Sequence, residues 1–175
     1  IKVNKATATI AWNNPAAITY GTGLSDTQLN ATSSAPGVIT YAPAAGTVLD
    51  AGDGQILMAT LPASTNFNSA EATVSINVNK ATATIAWNNP AAITYGTGLS
   101  DTQLNATSSA PGTITYAPAL GTVLDAGDDQ ILMATLPAST NFNGAEGMVS
   151  INVNPAPLTI TADDKQRGSG LANPP

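Results

Sequence analysis

The residues able to do chemistry are few, and they recur in pairs. Asp50 and Asp53 bracket Ala51-Gly52, and the arrangement returns as Asp125 and Asp128 with Asp129 added. Carboxylates so placed are donors for Ca2+, which takes about six to eight oxygen ligands. One copy supplies only Asp26, Asp50, Asp53 and Glu71, without the alternate-residue spacing of a helix–loop–helix calcium loop. Leu49-Asp50-Ala51-Gly52-Asp53 therefore also reads as a corner between strands, where Asp and Gly supply turn geometry. Trp12 and Trp87 form the second pair: flat rings of this kind bind glycans when exposed on a sheet. Asn30-Ala31-Thr32 and Asn105-Ala106-Thr107 are N-glycosylation sequons, meaningful only in a host that glycosylates them.

The missing residue types narrow the field further. The 175 residues contain no Cys and no His. Cys/His zinc sites, thiol nucleophiles, disulfides and imidazole-based triads are therefore excluded. Asp50 with Asp53 is a carboxylate pair of the kind glycosidases use, but one loop of a small module offers no cleft, and the reading is non-enzymatic. Five Lys plus Arg against eleven Asp plus Glu leaves no basic stripe for nucleic acid. Ala, Thr and Asn make up 71 of the 175 residues while charged residues make up 9%. A surface kept soluble by hydroxyls and amides suits a secreted β-protein. No apolar run is long enough to span a membrane.

Two near-identical copies organise the chain. Residues 5–79 and 80–154 match at 69 of 75 positions. The six differences are Val38/Thr113, Ala45/Leu120, Gly54/Asp129, Ser69/Gly144, Ala72/Gly147 and Thr73/Met148. Ile1-Lys2-Val3-Asn4 mimics Ile76-Asn77-Val78-Asn79, so residues 1–4 are expected to be the last strand of a preceding module. Residues 155–175 start a different, truncated sequence. This is the pattern of a piece cut from an array.

Within a copy, apolar residues alternate with period two. Ala8, Ile10 and Trp12 share one face; so do Ile18 and Tyr20, Ile39 and Tyr41, and Val74, Ile76 and Val78. Turn chemistry separates these runs, as in Asn13-Asn14-Pro15, Gly21-Thr22-Gly23 and Ala35-Pro36-Gly37. The expected fold is all-β: tandem immunoglobulin-like β-sandwich modules of about seven short strands each, with Greek-key connections. A β-grasp-like strand order gives similar alternation and stays open. The expected interior is Ile10, Trp12, Ile18, Tyr20, Leu24, Leu29, Ile39, Tyr41, Val48, Leu57, Phe67, Val74, Ile76 and Val78.

The ordered set Ile18-Thr19-Tyr20-Gly21, the Leu29/Ala31 strand, Gly37-Val38-Ile39-Thr40-Tyr41, Leu49-Asp50-Ala51-Gly52, Asn66-Phe67-Asn68 and Val74-Ser75-Ile76-Asn77-Val78 resembles the bacterial immunoglobulin-like repeats of large surface and secreted proteins. The resemblance covers 5–154. The tail from Leu158 to Pro175 resembles the opening of an MBG-type repeat, with Ser169-Gly170 where that family usually carries Tyr-Gly. Both resemblances imply extracellular adhesin-like proteins and no catalysis. They also imply a crosslink to consider. Disulfide-free surface modules in some cases join a Lys to an Asn by an isopeptide bond beside a buried acid, expelling ammonia. The corresponding sets here are Lys5, Asn77 and Glu71, and Lys80, Asn152 and Glu146.

A module of 75 residues without disulfides has a marginal core, so neighbouring modules are expected to support one another. Val78-Asn79-Lys80-Ala81-Thr82 provides no flexible linker, and Pro155-Ala156-Pro157 is stiff. The expected function is a structural spacer or stalk in a long bacterial surface or secreted protein. The alternative is a multivalent adhesive module for host or environmental glycan or matrix, with no cofactor beyond the Ca2+ considered above.

Overall fold

The structure, a computed structural model, describes residues 1–162 and 169–170. Each copy contains six strands, one fewer than expected. In the first copy these are β1 (Ile10–Ala11), β2 (Ile18–Thr19), β3 (Thr32–Ser33), β4 (Thr40–Ala42), β5 (Gly52–Leu61) and β6 (Ala70–Asn79). The second copy repeats them as β7 (Ile85–Ala86), β8 (Ile93–Thr94), β9 (Thr107–Ser108), β10 (Thr115–Ala117), β11 (Gly127–Leu136) and β12 (Ala145–Asn154). No helix is present among the described residues, and none there is long and apolar enough to cross a membrane.

Each module has two layers. A four-stranded sheet runs β2-β6-β5-β4, and a two-stranded sheet pairs β1 with β3. The partners β4–β5 and β5–β6 are antiparallel, while β2 lies parallel to β6 with Ile18 opposite Val78. The two ten-residue strands β5 and β6 form the spine. Their alternation follows from the pleat, which sends successive side chains to opposite faces. Leu57, Ala59 and Leu61 of β5 and Val74, Ile76 and Val78 of β6 face inward, Leu57 directly opposite Val74, whereas Ile56 and Met58 face solvent. In the second copy, Met148 replaces Thr73 and stands exposed directly across from Met133.

The missing strand is the one expected at Leu29 and Ala31. Leu29 instead closes a helical turn, its N–H donating to the Ser25 carbonyl at 2.9 Å. Ser25 and Gln28 form a capping pair around that turn: the Gln28 Oε1 accepts from the Ser25 N–H at 3.1 Å and hydroxyl at 3.0 Å. Gln28 and Gln103 are buried because each spends its side chain on this closure. Val48 also departs from expectation. It is 48% exposed, because Gly23 pairs with it as an isolated bridge at the sheet margin rather than within the core.

The spine carries one irregularity that separates the copies. Between Gly52 and Gln55, β5 has one residue more than β6, a bulge that bends the strand. Gly54 takes φ +64 there, and Asp129 takes φ +52 at the same place in the second copy. Left-handed backbone costs a residue with a Cβ about 1–2 kcal/mol, less for Asp. Asp129→Gly is therefore expected to stabilise the second module by up to about 1 kcal/mol, read as a raised urea midpoint with an unchanged slope. The gain is partly offset because glycine widens the unfolded ensemble.

Candidate functional site

The residues that could bind or react are scattered over the surface, and one group of them converges between the copies. Tyr20 follows β2, and its N–H donates to the Asn79 carbonyl at 2.8 Å, holding it at the far end of β6. Its ring meets Phe142 of the second copy edge-on, with centroids 5.4 Å apart and an interplanar angle of 73°. Beside it, Asn141 grips the corner of the first copy with both ends of its amide. The Asn141 Nδ2 donates to the Asp50 carboxylate at 2.9 Å, and its Oδ1 accepts from the Ala51 N–H at 2.8 Å.

The gripping residues are themselves held. Ala81 exchanges backbone hydrogen bonds with the 141–143 segment, from Ala81 to Asn141 at 2.9 Å and from Asn143 back to Ala81 at 2.9 Å. The Lys80 Nζ donates to the Ser139 carbonyl at 2.7 Å. Aromatic pairs of this geometry contribute about 0.5–1.5 kcal/mol beyond burial, and each hydrogen bond adds about 0.5–1.5 kcal/mol. The joint is a specific contact between folded modules rather than a tether.

The equivalent residues at the outer ends of the two copies have different exposures. Tyr20 is half-buried, but Tyr95, its repeat, is 49% exposed. Ala51 and Asn141 are half-buried, while Ala126 and Asn66 are exposed. The expectation that Tyr20 belongs to the interior is thus corrected: it touches the core margin, and its exposed ring serves the joint. The alternation could not separate these roles, because a residue at a strand's end continues the inward phase past the last residue that can cover it.

The structure keeps the crosslink sets apart. Ala6 bridges Phe67, which places Lys5 at the end of the module where β6 begins. Asn77 lies near the other end of that ten-residue strand, about 23 Å beyond Ala70 at roughly 3.3 Å per residue. The second copy repeats the separation between Lys80 and Asn152, with Ala81 bridging Phe142. Glu71 and Glu146 are exposed rather than buried. Asn77 and Asn152 instead hold the bulge, their Oδ1 atoms accepting from the N–H groups of Gly54 and Asp129 at 2.8 and 2.9 Å. The intramodule isopeptide expectation fails on this geometry.

The calcium candidates are likewise dispersed. Among the described residues, no three acidic side chains converge as ligands. Asp50, Asp53, Asp125 and Asp128 all stand exposed, and Asp50 serves the joint. Asp129 lies by a shallow recess with Asn89, Ser150 and Asn152, its carboxylate 3.4 Å from the Ser150 hydroxyl. One carboxylate with neutral amides does not supply a calcium shell.

Trp12 is anchored rather than displayed. Its indole N–H donates to the Gln28 carbonyl at 3.0 Å, and its ring meets Tyr41 edge-on at 5.4 Å. Trp87 repeats both contacts with Gln103 and Tyr116. The ring is half-buried, and what it shows to solvent borders a shallow recess with Asn13, Asn30 and Thr32. The MBG-type tail falls partly outside the described residues; within them, Leu158 and Ile160 are exposed.

No protein-family model matches the chain, and no curated protein matches it. Among solved structures, it is similar to one described as "Structural basis for Dscam isoform specificity", at 10% identity and a TM-score of 0.35. That match covers 87% of this chain and 47% of the other, so the chain spans about half the length of the structure it matches. The architecture stands on the pairing described above: two tandem all-β modules, each built of a four-stranded and a two-stranded sheet.

Proposed function

We propose that the chain is a spacer: stalk repeats of a long bacterial surface or secreted adhesin-like protein. The observation that supports this best is the joint. The chain enters a module beside Phe67 and leaves it beside Tyr20, at opposite ends of β6. Joints at opposite ends stack modules end to end, and a gripped joint carries orientation from one to the next. A surface of Thr, Asn and Ser, with 9% charged residues, adds little beyond solubility. The extracellular, bacterial setting follows from the resemblance of 5–154 to bacterial immunoglobulin-like repeats, and of the tail to an MBG-type opening.

Residual dipolar couplings test the mechanical part. One alignment tensor is expected to fit both modules, and two are expected for the Tyr20→Ala/Asn141→Ala double variant, whose modules remain folded. Independent tensors in the unaltered chain would remove the spacer reading's physical basis. The adhesive alternative draws on the recess beside Trp12. Its test is multivalent display of the chain on glycan and matrix arrays, where the spacer reading expects no binding.

A further inference from the structure

The joint between the copies has two halves, and among the described residues each half occurs once more, unpaired, at an outer end. We infer that the outer Asn66-Phe67 tip of the first copy is a docking face for the Tyr-and-Asp end of another module of this same type. The occupant is a preceding copy of this module in the same chain. The inference deepens the spacer reading and rests on it only for the existence of a further copy.

The tip is already built in the joint's geometry. Ala6 donates to the Asn66 carbonyl at 2.8 Å and accepts from Asn68 at 2.9 Å, repeating the bonds that hold Asn141 and Phe142. The residues are identical to those of the filled joint, so a partner meets a face that needs no rearrangement. Where Tyr20 fills the space against Phe142, the tip instead borders an open recess of about 450 Å³, lined by Val3, Asn4, Lys5, Thr65, Asn66 and Phe67. Asn66 offers the same amide that grips Asp50 and Ala51 when it is Asn141.

An independent observation points to the same occupant. Ile1 and Val3 are 123% and 87% exposed, whereas Ile76 and Val78, which they repeat, are 1% and 3% exposed. Ile76 and Val78 are buried because they line the inner face of their own module's four-stranded sheet. Ile1-Lys2-Val3-Asn4 thus repeats the apolar spacing of a closing strand with both apolar side chains exposed. The module that would bury these two side chains is the module whose Tyr20-type ring would then lie against Phe67.

The test places residues 5–75 directly before Ile1, so that Ile1-Lys2-Val3-Asn4 completes the added copy. In the unaltered chain, the Asn66 side-chain amide is expected to resonate at a solvent-exposed position and the Asn141 amide at a bonded one. In the three-copy chain, the Asn66 amide is expected to move to the Asn141 position. The added copy's Ala51-type N–H should gain about tenfold protection from hydrogen exchange, the factor for one hydrogen bond's worth of stability. Asn66→Ala should abolish that protection and leave the added copy folded. An Asn66 amide that stays at its free position overturns the inference, whether the added copy tumbles independently or fails to fold. Glycan binding would overturn the spacer reading alone and leave the docking face standing.

Discussion

Leu132→Ala is expected to destabilise the second module by about 2–5 kcal/mol. Leu132 is wholly inaccessible to solvent, lies directly across from Val149 in the spine, and is packed with Leu99, Leu104 and Ile151. Removing its isopropyl group loses the transfer energy and opens a cavity that two ten-residue strands cannot collapse around. Native domains are stable by about 5–15 kcal/mol, and a module of this size belongs near the lower bound. The variant should therefore show two denaturant transitions, the first belonging to module 2. Leu132→Met conserves volume and should cost less than about 1.5 kcal/mol. A single unshifted transition for Leu132→Ala would mean that the core does not rest on the spine. The joint adds a second readout: once module 2 unfolds, the Ala51 N–H loses Asn141 and should exchange as freely as Ala126.

Trp12→Ala is expected to cost the first module about 3–5 kcal/mol. The indole packs on the core formed by Leu29, Leu57 and Val74, meets Tyr41 edge-on, and satisfies the Gln28 carbonyl. Trp12→Phe retains much of the packing but leaves that carbonyl without its donor, costing about 1–3 kcal/mol. The urea midpoints of the two variants, each compared with the parent chain, provide the measurement. Equal midpoints for parent and Trp12→Ala would place the ring outside the core and restore it as a binding platform. Loss of glycan binding in Trp12→Ala would report unfolding as readily as a lost contact. Asn13→Ala and Asn30→Ala are therefore the better probes of that recess for the adhesive alternative.

The alternation of Val74, Ile76 and Val78 was legible because each residue faces a neighbour within its own sheet, and the pleat alone decides its side. Trp12 was legible as core for the same reason: its phase agrees with Ala8 and Ile10. The Ser25–Leu29 turn was not legible, although Ser25 and Gln28 carry the capping spacing, because Leu29 and Ala31 mimic a short alternating strand. The Lys–Asn crosslink failed for a topological reason. Ala6 runs parallel to the start of β6, which puts Lys5 and Asn77 at opposite ends of the module, and composition holds no record of strand direction.

Sequence by itself determined the two copies, their all-β character, the inward face of each spine strand and the exclusion of Cys and His chemistry. Those properties depend on residue type and on neighbours close along the chain. Only the tertiary structure decided what Tyr20, Asp50 and Asn141 do. Tyr20 and Tyr95 sit in the same local sequence, yet one is half-buried and the other 49% exposed. The difference comes from Phe142, 122 residues along the chain from Tyr20 and present on one side of a joint only. A contact between two folded surfaces depends on where each module places its ends, and no window of sequence short enough to show a period contains both.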